Sequence, residues 1–403
     1  MKENAKKIPA RSIQIECVES ICICGQSAPV FSKLALETRQ GKELDISIHM
    51  QSQIGEKYRV WIQKEANGMI SLAEEMSIDL KDEAIGLFLF IQKPENTAFG
   101  RLVLDTKKPA NIAEILKQEA ASIWLGRIKS IKLRYDAVDV LPKLGIAVGN
   151  SLDMLVLDFG EDQECPEIAR QPNSSIWLGT IKNIRMRYNA AIAIPKLRIP
   201  RENVLESLNV DSRETYDPEI IKLPNESIWL GRIKNILLEF HAVNLLPKLI
   251  LPEDNIVEKL FLNGSEAEQV AEIHRQDKKI WLGKIKNIEL ENNAVDLLFK
   301  LRLPEDNVLE MLQGTARCCT ELARQPNASI WLGRIKNIKL MYYAVDALPK
   351  LLVPEENVVE RLEMSAGKQE HYLEILQQPD ESIWLGRIKN IDLENQAARH
   401  IFK

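Results

Sequence analysis

The sequence predicts an α/β solenoid: one long ladder of parallel strands with short helices or turns packed behind it. Three observations carry this expectation. The segment SIWLGRIKNI recurs nearly unchanged, with its tryptophan at Trp124, Trp177, Trp229, Trp281, Trp331 and Trp384, spaced 53, 52, 52, 50 and 53 residues apart. Each copy holds a smaller apolar pattern twice, and from Leu80 onward the closing positions alternate between intervals of 24 and of 26–29 residues. Each pattern reads as one strand followed by one helical or turn segment, the unit from which stacked repeats are built.

The copies follow one another along nearly the whole chain. SIQIECVESICICGQSAPVFSKLAL from Ser12 aligns without a gap on SIWLGRIKSIKLRYDAVDVLPKLGI from Ser122. MISLAEEMSIDLKDEAIGLFLFIQKPEN from Met69 aligns on KIWLGKIKNIELENNAVDLLFKLRLPED from Lys279, so Gln14 and Ser71 stand where later copies carry Trp. The resulting organisation is a tail at 1–11 and a solenoid at 12–403, eight double repeats of about 52 residues with the last cut short, giving about 15 strands.

Within a copy, the first half reads I-x-x-I-x-L, as in Ile128, Ile131 and Leu133; the second reads L-x-x-L-x-L, as in Leu152, Leu155 and Leu157. Residues two apart point to one face of a strand, so Ile131 and Leu133 face inward and their neighbours outward. Second halves continue into segments with apolar residues at three- and four-residue spacing, such as NIAEILKQEA, EAEQVAEIHRQ, TARCCTELARQ and KQEHYLEILQQ, and these predict helices. First halves continue into AVDVLPKL or AVDALPKL, where Pro predicts a shorter helical stretch. The Gly that follows each WL pair, from Gly126 to Gly386, marks a backbone position needing positive φ or close approach. The recurring Trp is expected to fill a gap between units and to donate its indole N–H to a carbonyl.

One strand plus one short helix or turn per 24–29 residues resembles the leucine-rich repeat superfamily over roughly residues 12–400. The alternating longer and shorter units are more similar to its intracellular, ribonuclease-inhibitor type than to the extracellular, disulfide-capped type. The family places Asn or Cys three residues after the last strand position; here only Asn189 and Asn293 do so, and no continuous asparagine ladder is expected. The resemblance implies a horseshoe whose strands line the concave face and whose helices or turns lie on the convex side. It also implies a non-enzymatic scaffold that recognises a partner protein on that concave face.

On such a face the first-half strands expose Ser130, Lys132 and Arg134; Asn183, Arg185 and Arg187; Asn235, Leu237 and Glu239; Asn287, Glu289 and Glu291; Asn337, Lys339 and Met341; and Asn390, Asp392 and Glu394. The Asn hardly changes between copies, while the next two positions run from doubly basic to doubly acidic. The candidate partner-binding residues are therefore Lys132, Arg134, Arg185, Arg187, Glu239, Glu289, Glu291, Lys339, Asp392 and Glu394. An alternative is a stripe formed by the repeated Arg/Lys–Ile–Lys triplet (Lys129, Lys182, Lys234, Lys286, Lys336 and Lys389), spaced to follow a polyanion or nucleic acid. Interleaved acids and the absence of stacking aromatics favour a salt-bridged edge instead.

Composition narrows the function classes. Of 403 residues 45% are hydrophobic and 28% charged, which excludes a disordered chain, and a net charge of −5 excludes a generally basic protein. No apolar run reaches the roughly 18–20 residues of a membrane span. The first residues, MKENAKKIPARSIQIEC, lack the apolar core of a secretory signal, and six Cys in so long a chain read as reduced thiols, so a cytoplasmic location is expected. Chemistry is not expected. The five His occupy no repeated position, and Cys17, Cys22 and Cys24 lack the paired spacing of structural zinc. Cys22 and Cys24 are expected to face outward, and Cys318 and Cys319 to pack in a helix. No phosphate-binding loop, dinucleotide fingerprint or nucleophile elbow occurs, so no catalytic, cofactor or metal residues are assigned. The short tail after Leu393 offers Ala397, Ala398, Ile401 and Phe402 as a partial cap, which predicts end-on self-association through the C-terminal edge.

Overall fold

The computed structural model describes residues 75–92, 98–160, 166–213, 218–317, 321–368 and 383–395, with the strands at 13–16, 20–24, 34–37, 44–50 and 70–71 and positions 375, 378 and 379. The tail at 1–11, Cys318, Cys319, Ala397, Ala398, Ile401 and Phe402 lie outside the described residues, as do the side chains of Cys22 and Cys24. The chain divides into two compact units, 1–200 and 201–403. No helix among the described residues is long and apolar enough to cross a membrane.

Each unit carries its own run of parallel strands, every strand pairing with the next. In the first unit these are β1 (Ser20–Cys24), β2 (Leu44–Met50), β3 (Glu75–Asp82), β4 (Ala98–Thr106), β5 (Ile123–Tyr135), β6 (Met154–Asp158) and β7 (Asn183–Arg187). In the second they are β8 (Val204–Ser212), β9 (Arg232–Phe240), β10 (Ile256–Gly264), β11 (Lys284–Asn292), β12 (Met311–Ala316), β13 (Asn337–Tyr342), β14 (Val358–Ala366) and β15 (Arg387–Asn395). The apolar positions stack in register: Leu102, Ile131 and Leu155 form one column, Leu104, Leu133 and Leu157 another, and all six are fully buried. The residues between them reach the surface, as two-residue spacing requires. A long parallel strand ladder of repeated coils is thus present in each unit.

Behind the strands the helical segments differ from expectation. First-half segments are the long ones: 3₁₀ runs of eight or nine residues at Asp136–Lys143, Tyr188–Lys196, His241–Lys248, Asn293–Lys300 and Tyr343–Lys350. Second-half helices are only four or five residues, as at Ala113–Leu116, Pro166–Arg170, Pro218–Lys222 and Ala271–Arg275. The Pro near the end of most first-half runs does not shorten them. It needs no N–H there, and its carbonyl accepts from the residue that precedes SIW in the same copy, as in Pro247 O from Glu226 N–H at 3.0 Å. A short strand then pairs with the Trp segment, Ile280–Trp281 against Leu301–Arg302.

The coils are tied together by side chains the repeat pattern did not single out. Asn150, Asn203, Asn255, Asn307 and Asn357, once per double repeat, are almost wholly buried. Asn307 Oδ1 accepts from Ile285 N–H at 2.9 Å, Nδ2 donates to Leu332 O at 2.9 Å, and its own carbonyl accepts from Arg334 N–H at 2.9 Å. Asn255 and Asn357 repeat this pattern in the second unit, and Asn150 in the first. An asparagine ladder therefore exists, but ahead of the second-half strands rather than behind the strands, which corrects the expectation that none would form. Of the expected positions, Asn293 alone is seen donating, to Gly264 O and Ser265 O.

The repeated Gly sits against this ladder. Gly283 has φ +78°, and a Cβ on it would lie 2.3 Å from Asn255 O. Both reasons for glycine thus hold at one position. Buried ions complete the interior. Lys248 Nζ donates to Ile221 O, Leu223 O and Asn225 Oδ1 at the end of the Pro218–Lys222 helix, and Lys300 does the same for His274 O and Gln276 O. These ammonium groups meet the unpaired carbonyls of a helix C-terminus. Asp139 Oδ1 accepts from Ile168 N–H at 3.0 Å, as Asp296 does from Leu322 N–H at 2.8 Å. Burial pushes the Asp139 carboxyl up to about 6.

Two predictions follow from this interior. Gly149 also has positive φ but open space around it, so Gly149→Ala costs only the backbone term of about 1–2 kcal/mol. Gly283→Ala costs roughly 1–3 kcal/mol more, because the added carbon meets a carbonyl that cannot withdraw; urea denaturation of both variants measures the difference. The second concerns Asp139, whose folded pKa lies above its unfolded value. Its contribution is fully present below about pH 4 and is lost as pH rises through about 6. Asp139→Asn, which installs the residue found at the equivalent Asn244 two copies on, removes that dependence. The stability of the natural chain relative to the variant falls between pH 4 and 6 and then levels off; a constant difference contradicts the assignment.

Candidate binding surface on the strand ladder

The outward positions of the strands form rows across each unit. In the first unit, Asp105, Arg134, Asp158 and Arg187 stand side by side in register on β4 to β7. Opposite charges alternate along this row, and Arg134 reaches Asp105 at 3.4 Å. Burial pushes the Asp158 carboxyl up, against the pull of Arg187 and Arg134. In the neighbouring row Lys132 lies between Val103 and Val156, and Val156 is followed by Arg185. Burial, then Arg134 and Arg101, lower the pKa of Lys132. Arg185 and Arg187 are exposed. Lys132, Arg134, Arg185 and Arg187 are thus brought together on β5 and β7, with Asp158 of β6 between them and Asp105 of β4 on the far side of Arg134.

The second unit carries acids in the same rows, but several are already matched. Glu289 pairs with Lys259 at 2.6 Å, Lys339 with Glu363 at 2.6 Å and Asp392 with Arg361 at 2.7 Å. Glu239 stands in register with Asp211 and Asn263, and Glu291 with Asn263 and Thr315. Burial, then the Asp211 carboxylate, raise the Glu239 pKa, and Glu291 adds to this. Glu394 is exposed at the end of β15. Beside the acids, Leu237 and Phe261 are half-exposed and adjacent in register. The predicted residues of this unit are spread from β9 to β15 and do not converge on one point.

Sequence reasoning missed Asp105, Asp158, Lys259, Arg361 and Glu363. The signal is present in the sequence, since these residues occupy in second-half strands the same outward spacing that the candidates occupy in first-half strands. The constant outward Asn also proves to have a structural task. Nδ2 of Asn183, Asn235, Asn287, Asn337 and Asn390 donates to the carbonyl of Asp153, Glu206, Glu258, Glu310 and Glu360.

Those same acids neutralise the Arg/Lys–Ile–Lys stripe. Lys182 pairs with Asp153 at 2.6 Å, Lys234 with Glu206 at 2.7 Å, Lys286 with Glu258 at 2.9 Å and Lys336 with Glu310 at 2.7 Å. Arg232, Lys284 and Arg334 pair with Asp254, Asp306 and Glu356. Exposed pairs of this kind contribute little stability each, about 0–1 kcal/mol, but they leave few free cations along the edge. The Trp row is a correction in part. Trp177 and Trp281 lie under Arg198 and Arg302, whereas Trp124 faces Gly145 across the short strand pair and is 59% exposed. The indole N–H groups of Trp177 and Trp331 have no acceptor, contrary to expectation.

Among the described residues no group of three or more His, Cys, Asp or Glu is placed to hold a metal ion. Compared with known proteins, the chain matches no family, no curated protein and no solved structure.

Proposed function

We propose that the chain is a non-enzymatic recognition scaffold of the leucine-rich-repeat type, acting in the cytoplasm. Its ladder curves into a horseshoe and binds a partner protein on the concave side. One observation carries this reading. Positions that hold the coils together are the same from copy to copy, while two outward positions per strand change freely. Lys132 and Arg185 in the first unit and Leu237, Glu289, Lys339 and Asp392 in the second share one repeat position, and Arg134 and Arg187, then Glu239, Glu291, Met341 and Glu394, share the other. The Asn beside them is constant because it bonds backbone. Pairing of the triplet lysines with acids favours a protein partner over a polyanion, which needs unpaired cations at regular spacing.

The test uses the intact chain as bait, with Arg185→Glu/Arg187→Glu and Lys286→Gln beside it. The reading predicts that a captured protein binds the double variant at least about tenfold more weakly and Lys286→Gln unchanged. Capture that ignores the double variant, or that is lost steeply with salt and competed by heparin, contradicts it.

A further inference from the structure

In the second unit one outward position, at the start of the second-half strands, carries an exposed aliphatic side chain in every copy. Val204, Ile256 and Val358 open β8, β10 and β14, and Val308 stands just ahead of β12; all four are 37–46% exposed. Each is in register with a cation of the next strand: Val204 with Arg232, Ile256 with Lys284, Val308 with Arg334 and Val358 with Arg387. The aliphatic groups thus recur two strands apart. The turns before the last three carry paired acids, Glu253 and Asp254, Glu305 and Asp306, Glu355 and Glu356. Asp254, Asp306 and Glu356 are taken by Arg232, Lys284 and Arg334. Glu253, Glu305 and Glu355 are exposed and, among the described residues, have no cationic partner.

Between two successive copies these groups meet around a pocket of about 590 Å³. Val308, Trp331 and Pro354 form its apolar wall, and Glu305, Asp306, Glu356 and Arg334 its polar one. The indole N–H of Trp331 is buried, so the ring offers the pocket carbon surface. Three carboxylates against one guanidinium leave the pocket acidic. One copy earlier the same positions hold Ile256, Trp281, Pro304, Glu253 and Lys284. In the first unit Ser151 takes the aliphatic position, in register with Thr180, and the turn before it, at Val148 and Gly149, has no acid. There the aliphatic group and the acids are lost together.

Spacing and charge define what fits such a row. Strands two apart are separated by about 9.6 Å. A polyproline II helix returns to the same face every third residue, after about 9.3 Å, whereas an α-helix takes about 10.5 Å per heptad. Across four positions the first stays within about 1 Å of the row, and the second drifts by about 3 Å. A β-strand repeats its face every second residue, at about 6.8 Å, and misses the row altogether. We propose that this edge of the second unit binds an extended, basic segment of a partner protein in polyproline II form, with apolar residues at every third position. Its apolar side chains enter the pockets between copies, and its Lys or Arg side chains meet Glu253, Glu305 and Glu355. Aromatic-lined grooves suit such a segment because it is extended before it binds and loses little entropy. The site uses none of the residues assigned to the outward recognition rows.

Fluorescence anisotropy of the intact chain with a labelled peptide of about 12 residues repeating Leu-Pro-Arg tests the proposal. The natural chain binds this peptide, and binds at least about tenfold more weakly one of the same composition in an order without the three-residue repeat. Val308→Asp, at an exposed position and checked for folding by circular dichroism, weakens binding more than about tenfold, because an apolar contact is replaced by a desolvated charge. Glu305→Gln weakens it by a smaller factor. Arg185→Glu/Arg187→Glu leaves it unchanged, which separates this site from the recognition rows. A natural chain that ignores the repeating peptide overturns the proposal, as does a Val308→Asp chain that binds normally. Equal binding of the reordered peptide also overturns it, since charge alone then holds the ligand. So does tighter binding of an α-helical peptide with Leu and Arg at heptad spacing, which assigns the row to a helix.

Discussion

The ladder depends on one buried side chain per double repeat. Parallel strands alone hold neighbouring coils edge to edge, but each coil must also turn away from the ladder and return. That return leaves backbone N–H and C=O groups in the interior, where an unmade hydrogen bond costs about 1–3 kcal/mol. Asn307 meets this need by accepting from Ile285 N–H, 22 residues earlier, and donating to Leu332 O, 25 residues later. One amide thus fixes the coil before it and the coil after it. Asn supplies both an acceptor and a donor on a short side chain, which neither Asp nor Leu can do.

Other constants of the repeat follow from this clamp. The Asn carbonyl lies so close to the following WLG turn that Gly is required there. The N–H just beyond the Gly then donates to that carbonyl, as Lys284 does to Asn255. The buried Lys and Asp of the 3₁₀ runs play the same part on the opposite side, satisfying the ends of the short second-half helices. Because the Asn, Lys and Asp side chains of this interior each hold backbone groups of a neighbouring coil, those positions have little freedom to vary. Variation is confined to the outward rows, which is what makes those rows a recognition surface in our reading.

Much of this was legible from the sequence. Two-residue spacing placed Ile131, Leu133 and their counterparts inward, and the alternating period located the strands. Positive φ at the repeated Gly was legible because the residue type itself carries the constraint. The asparagine clamp was not. The family pattern places Asn behind the strand, whereas Asn255, Asn307 and Asn357 sit before the second-half strands in EDN or EEN, where they read as ordinary surface turns. The lengths of the helical segments were inverted for a related reason. Helical periodicity in EAEQVAEIHRQ measures amphipathic character, not how many turns the coil geometry allows, and AVDALPKL is buried almost throughout as a 3₁₀ run that accommodates its Pro. On the outward face, which residues carry charge was legible, but their mutual pairing needed the register of neighbouring strands.

The central claim is that the buried Asn couples successive coils. It is tested most directly by native-state hydrogen exchange of the amide of Ile285 in the natural chain and in Asn307→Ala. The account predicts that the substitution frees this amide and destabilises the surrounding coils by about 2–5 kcal/mol, the cost of leaving one buried donor and one acceptor unpaired. Unchanged protection of Ile285, with a loss no larger than that of an ordinary surface substitution, would contradict it.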